Sequence, residues 1–230
     1  MTDSYWEPEI GVPIAIRLSQ RARRVRLRVD PVRRDVELVL PRGVSPSKGL
    51  RFLVAQREWI AARLQALPQP VPFVEGAIVP VLGVPHRIRH ESAASLQLVR
   101  IVDGEIRVSG NPAHLARRVH DHLVAMARDE LAPRAQHLAA QIGREVSRVS
   151  VRDTKSRWGS CSGDGNLSFC WRLIFVPEQI LDHVVAHEVA HLVAMNHGQR
   201  FWRLVESLAP GHSGARAWLK RHRDRLMSYG

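Results

Sequence analysis

The sequence has little cysteine and no long apolar run, and each shortage excludes a class of protein. Two cysteines, Cys161 and Cys170, are too few for the disulfide framework of a small secreted protein, so a reducing cytoplasm is the expected compartment. One bridge between the two stays open. No apolar run reaches the roughly 18 residues that a membrane-spanning helix needs, and residues 1–10 lack the basic and apolar regions of a signal peptide. We therefore expect a cytoplasmic protein without a membrane partner.

Lysine is also scarce, because only three of the 34 basic residues are not arginine. Against 22 acidic residues, the formal net charge is +12. A guanidinium holds phosphate through a planar fork, so this composition suits polyanions such as nucleic acid. Arginines are densest between residues 17 and 34, where residues 24–29 alternate basic with apolar in the manner of a half-buried strand. A solvated basic face and a nucleic-acid contact both fit this stretch.

The order of the elements predicts an α+β fold in two parts. Residues 1–110 form a β-rich N-terminal part with a helix that runs from residue 45 or 47 to residue 67, with Trp59 as a core anchor. Its strands are expected at residues 14–18, 25–29, 36–40, 77–82, 86–90, 96–102 and 105–108. Residues 111–230 begin with a long helix that continues toward residue 142, and a β-hairpin and another helix follow.

The second part carries a metal-binding pattern, His-Glu-Val-Ala-His, at residues 187–191. Histidines at positions i and i+4 share one face of a helix, so His187 and His191 can reach the same ion. Glu188 is offset from that face and can hold a water molecule. Two ligands and a general base are the minimum for metal-assisted hydrolysis. The surrounding helix is apolar around most of its girth, and metal ligation would compensate for burying these polar groups.

Three residues compete as the third ligand. His197 follows His191 by six residues, where the helix must end, and matches the spacing of His-Glu-x-x-His-x-x-Gly-x-x-His except for Ala194 at the glycine position. Glu206 would instead complete a site of two histidines and one glutamate. His183 lies about 12 Å along the helix axis from His191, which is too far for one ion. The spacing favours His197.

Several short motifs follow one another in a fixed order. They are Trp-Gly-Ser-Cys-Ser at 158–162, Asn-Leu-Ser-Phe at 166–169, Trp-Arg-Leu at 171–173, the metal-binding pattern, Asn-His at 196–197 and Phe-Trp at 201–202. In this order they resemble the YgjP-like metallopeptidase domain, which is related to the SprT-like and WLM zincins. Earlier segments fit as well, so the resemblance extends over residues 14–225. One departure is Cys170, which stands where the family has asparagine.

The resemblance implies a zinc-dependent metallohydrolase whose second part, residues 111–230, is a zincin-like helical catalytic domain. It implies that Zn²⁺ is held by His187, His191 and His197, with Glu188 as the general base. The chemistry of the residues agrees, because zinc held by three neutral imidazoles acidifies a water molecule in its fourth position.

The hairpin between Trp158 and Trp171 precedes the motif helix and is expected beside the metal cleft. Its exposed edge would accept an extended peptide as an added strand. Lys155, Arg157 and Ser160 are the expected substrate contacts, and the two basic side chains would also suit phosphate.

Three substrate classes stay open at this point. A metallopeptidase that cleaves peptide bonds is favoured by the motif and by the resemblance. The resemblance also implies a nucleoside triphosphate pyrophosphatase that acts on UTP, and the basic composition suits such a nucleotide substrate. The third class is a nucleic-acid-associated factor of the SprT-like kind. The sequence has no recognisable phosphate loop or nucleic-acid reading motif, so the peptidase ranks first.

Overall fold

The structure is a computed structural model that describes residues 3–8, 10–31, 33–92, 98–211 and 214–230. The chain divides into two compact units, Met1–Pro70 and Val71–Gly230. This division does not coincide with the expected boundary at residue 110. The physical reason is the hydrophobic core, because Ile88 and Ile106, from strands before that boundary, share one buried cluster with Leu123 from the long helix after it. The α+β class is confirmed.

The first unit is a sheet covered on one face by helices. Its elements are β1 (Asp3–Glu7), β2 (Val12–Ser19), β3 (Arg26–Val29), β4 (Val36–Pro41), α1 (Pro46–Ala55) and α2 (Arg57–Gln65). The strand order is β1-β2-β4-β3, and β2 runs parallel to β4. Strands at residues 14–18, 25–29 and 36–40 are confirmed, whereas β1 was not expected. The sheet and the helices share the core residues Ile14, Leu38, Leu53 and Ile60.

The helix of the first unit differs from its prediction in two ways. The expected single helix is two helices, because Gln56 leaves the helical conformation with φ −106° and ψ 10°. Trp59 is 49% exposed, so its prediction as a core anchor is wrong. Ile60 and Leu64 of the same helix fill the core instead.

A second sheet begins the Val71–Gly230 unit. It contains β5 (Ile78–Val81), β6 (Val84–Glu91), β7 (Val99–Val102) and β8 (Glu105–Ser109) in the order β5-β6-β8-β7. The turn between β7 and β8 lies at Asp103 and Gly104, which have positive φ angles of 51° and 73°. Residues 96 and 97 of the expected strand 96–102 lie outside the described residues.

The long helix α3 (Leu115–Gln141) organises this unit. Every fourth residue along it is buried and forms one continuous stripe: Leu115, Val119, Leu123, Ala127, Leu131, Ala135 and Ala139. Such a stripe lets a helix pack against other elements along its whole length. Among the described residues, no helix combines the length and apolar character needed to cross a bilayer.

The last part of the chain forms a small sheet and three helices. They are β9 (Arg148–Arg152), β10 (Gly159–Cys161), β11 (Asn166–Cys170), α4 (Glu178–Ala190), α5 (Gln199–Leu208) and α6 (Ala215–Met227). The strand order β10-β11-β9 confirms the expected hairpin and leaves β10 at an edge of the sheet. Helix α4 contacts α3, β10, α5 and α6. Cys161 and Cys170 are both free thiols.

Candidate metal centre

The end of α4 and the loop after it bring three imidazoles together. His187 lies in the last turn of α4, and His191 is the first residue beyond it. His191 keeps helical angles, φ −64° and ψ −21°, so it stays on the face of His187 although the helix ends at Ala190. His197 comes from the loop before α5. The candidate ligand nitrogens of the three histidines all lie within 4.8 Å of one another.

The spacing and tautomers of these imidazoles fit a shared zinc ion. Nε2 of His197 lies 3.1 Å from Nε2 of His187. Two nitrogens that each bind a tetrahedral zinc ion at about 2.0–2.1 Å lie about 3.3 Å apart. Nδ1 of His191 lies 3.2 Å from the carbonyl oxygen of Ala194. Because a carbonyl only accepts, Nδ1 carries the proton, and the lone pair of Nε2 is available to a metal.

Burial keeps the imidazoles of His187 and His191 neutral, which is the state that binds metal. Burial, helped by the neighbouring His191 and His197, lowers the pKa of His187 to about 3. Burial also lowers the pKa of His191, against the hydrogen bond to the carbonyl of Ala194, which raises it. A set of neutral nitrogen donors is the kind that zinc prefers.

Two aromatic residues of α5 hold the imidazole rings in place. Phe201 is fully buried, and its ring centre lies 4.9, 4.6 and 4.7 Å from those of His187, His191 and His197. The Trp202 ring lies 5.7 Å from His187 and 5.8 Å from His197. The histidine cluster therefore has an apolar wall that restricts how its rings can turn.

Glu188 packs directly on the backbone of β10. Its residue exposure is only 6%. A methyl group at Gly159 would lie 2.5 Å from Cγ of Glu188 and 2.6 Å from its Oε1, so only glycine leaves room for this carboxylate. Burial raises the pKa of Glu188 to about 7, although the positive charge of Arg157 opposes the shift. The carboxylate is thus fixed between α4 and the edge strand.

The three expected substrate contacts, Lys155, Arg157 and Ser160, have different surroundings in the structure. Arg157 is close enough to Glu188 to affect its pKa. Ser160 follows Gly159 in β10 and pairs with Ser168 of β11. The backbone carbonyl of Lys155 accepts a hydrogen bond from the guanidinium of Arg223.

The two alternative third ligands lie outside the histidine cluster. The carboxylate of Glu206 accepts a hydrogen bond of 2.9 Å from the backbone nitrogen of Gly211. His183 is buried and lines a cavity beside His187.

Sequence reasoning missed Arg216 of α6. Its guanidinium carbon lies 5.0 Å from the centre of the Trp202 ring, and the residue lines the same cavity as His187 and Glu188. No local spacing signals this placement, because α6 reaches the site only through tertiary packing. Because the chain is rich in arginine, its sequence gives no reason to select this arginine as a site residue.

Comparison with known proteins agrees with the chemistry of the cluster. The family description "YgjP-like, metallopeptidase domain" matches residues 23–222, which include all the residues of the candidate site. The chain is also similar to the crystal structure of the metallopeptidase zymogen of Pyrococcus abyssi abylysin, at 25% sequence identity over 46% of this chain and 93% of that chain. The TM-score of this match is 0.31. No curated protein matches significantly.

The matched range covers most of the chain and confirms the resemblance seen in the short motifs. The chain therefore belongs to the YgjP-like metallopeptidase domain family.

Proposed function

We propose that this protein is a zinc-dependent metallopeptidase in which His187, His191 and His197 hold the metal and Glu188 is the general base. One observation carries the proposal. Three imidazole nitrogens lie within 4.8 Å of one another, and the buried Glu188, the residue after His187, lines the same cavity as His187. Membership of a metallopeptidase family gives this arrangement its reaction class.

The donor set favours zinc in a catalytic role. Three nitrogen ligands from the protein leave the fourth tetrahedral position for water or substrate, whereas a structural zinc site is closed by four protein ligands. When bound, zinc would supply a Lewis-acidic charge that lowers the pKa of water toward about 7. His191 would bind through Nε2, since its Nδ1 donates to the carbonyl of Ala194.

The position of Glu188 suits proton transfer. The carboxylate follows a ligand histidine directly in sequence and is held against β10 by the absence of a side chain at Gly159. A carboxylate oxygen of Glu188 would accept a proton from the attacking water and deliver it to the amine of the leaving group. Both transfers need a fixed base within hydrogen-bonding reach of the reacting atoms.

The edge strand β10 supports a peptide as the substrate. It pairs with β11 along one side and contacts α4, which carries Glu188. An extended peptide that adds to a free strand edge forms main-chain hydrogen bonds there. Its scissile bond would then lie alongside Glu188. The described residues offer no comparable feature that favours UTP or nucleic acid, and both become outcomes of the test.

Metal removal tests this function directly. We expect purified protein to contain about one zinc ion per chain and to cleave members of a peptide library, because three protein ligands define a single site. Chelation should abolish cleavage, and added zinc should restore it. Chelator-sensitive hydrolysis of UTP without peptide cleavage would establish the nucleotide alternative. Steeply salt-dependent DNA binding without hydrolysis would instead support the nucleic-acid factor.

Substitution of Gly159 by alanine tests the placement of the base. The new methyl group would displace the Glu188 side chain, because pairing with β11 limits movement of the β10 backbone. A misplacement of about 1 Å can cost roughly 100-fold in rate, so we expect kcat to fall by about 10- to 100-fold with zinc retained.

Gly163→Ala is the matched control, since a methyl group there meets nothing within 4 Å and the residue lies in the turn of the same hairpin. Zinc content, thermal unfolding and kcat would be measured for both variants. Wild-type kcat in Gly159→Ala would show that the close contact does not position Glu188.

A further inference from the structure

A cavity of 170 Å³ opens beside the proposed base and one proposed metal ligand. Glu188 and His187 form part of its wall, together with Trp158 and Gly159. Arg216 also belongs to the lining. Any group that enters this cavity therefore lies next to the reacting atoms, and its chemistry affects which substrates are cleaved.

An aromatic ring of the metal centre holds Arg216. The residue lies in the first turn of α6, and its guanidinium carbon is 5.0 Å from the centre of the Trp202 ring. The same ring lies 5.7 Å from His187 and 5.8 Å from His197. A cation over the face of an indole is attracted to it, which restricts the guanidinium to this side of the cluster.

The two arginines near the cavity form no ion pair with a described carboxylate. In the described part of the chain, neither Arg216 nor Arg157 forms an ion pair, whereas Arg134 of the same unit pairs with Asp182. Glu188 is the one carboxylate in the described lining. The guanidinium of Arg216 is therefore not paired with a described carboxylate.

We propose that this cavity is a subsite for a carboxylate of the substrate, with Arg216 as the specificity-determining contact. The inference rests on the proposed peptidase function and names its substrate class, which is acidic peptides. A guanidinium matches a carboxylate through two parallel hydrogen bonds. The volume suits an aspartate or glutamate side chain, or the terminal carboxylate of a peptide. Arg157 adds attraction for the same negative charge.

Peptide pairs that differ by one group test this subsite. Aspartate and asparagine would be exchanged at each position on both sides of the cleaved bond, and kcat/KM compared within each pair. At one position we expect wild-type protein to prefer aspartate by roughly 10- to 100-fold, the usual effect of a charge-assisted hydrogen bond. A parallel pair with a free or amidated C-terminus shows whether the carboxylate belongs to a side chain or to the chain end.

Arg216→Gln should reduce this preference to nearly 1, mainly through KM. Arg221→Gln removes the same charge from an exposed position on α6 outside the cavity lining and should keep the preference. A ratio within each pair is insensitive to a general loss of active protein. Equal cleavage of both members of every pair by wild-type protein, or an unchanged preference in Arg216→Gln, would overturn the proposal.

A binding measurement separates this inference from the proposed function. If no peptide is cleaved, the peptidase function fails, but calorimetry with N-acetylaspartate and N-acetylasparagine amides still tests the subsite. We expect zinc-loaded wild-type protein to bind the aspartate compound more tightly, and Arg216→Gln to lose the difference. Equal binding of the two compounds, or tighter binding of inorganic phosphate, would overturn a carboxylate subsite.

Discussion

Glu188→Gln is expected to lose nearly all turnover while it keeps its zinc. Glutamine has the shape of glutamate and would fit against Gly159, but its amide cannot accept the proton of the attacking water. Loss of a positioned general base costs about 10²- to 10⁴-fold in rate. The measurement is kcat on a cleaved peptide, with the zinc content and thermal unfolding of each preparation determined in parallel.

Glu178→Gln provides the matched control for this substitution. Glu178 begins the same helix, and its side chain is 61% exposed. The Glu178→Gln variant should retain wild-type turnover, because Glu178 lies outside both the histidine cluster and the cavity lining. Undiminished turnover in Glu188→Gln would remove Glu188 from the role of general base and leave the metal site itself untouched.

His197→Ala is expected to weaken zinc binding more than any change at Glu206. Loss of an outer partner of a metal ligand already costs about 10- to 100-fold in affinity, so loss of a ligand should exceed about 100-fold. Affinity would be measured by competition with a chromophoric chelator. Activity at saturating zinc would be recorded separately, because a two-histidine site holds its metal in a different geometry.

Glu206→Ala serves as the comparison, because sequence spacing alone left this carboxylate as an alternative ligand. Its hydrogen bond to the nitrogen of Gly211 gives it a structural role in the turn after α5. We expect its zinc affinity to match that of the wild type. The opposite ranking, with zinc lost in Glu206→Ala and retained in His197→Ala, would replace the proposed ligand set with two histidines and one glutamate.

Local periodicity explains why much of the fold could be predicted from the sequence. Strand β3 alternates basic with apolar residues, β4 is an apolar run interrupted only by Glu37, and α3 repeats its buried residues at every fourth position. The relation of His187 to His191 is equally local, since it depends on a single helical turn. His197 was suggested by spacing, because a short loop after a helix end limits where its side chain can reach.

The features that could not be predicted depend on tertiary contacts. Trp59 is exposed, whereas Ile60 and Leu64 of the same helix occupy the core. The glycine contact with Glu188 and the position of Arg216 join elements that are distant in sequence. The boundary between the units was misplaced for a similar reason, since the core of β5–β8 continues into α3. A residue pattern within one segment does not indicate contacts between elements that are distant in sequence.

The end of α4 at Ala190 has a thermodynamic consequence. Only His187 belongs to the rigid helix, while His197 comes from irregular chain ten residues later. An ion shared by His187 and His197 would close this stretch into a ring. Part of the free energy of metal binding would then offset the conformational entropy that the loop loses. Metal affinity and loop order are then linked quantities, and a substitution that stiffens residues 192–196 would tighten metal binding without touching a ligand.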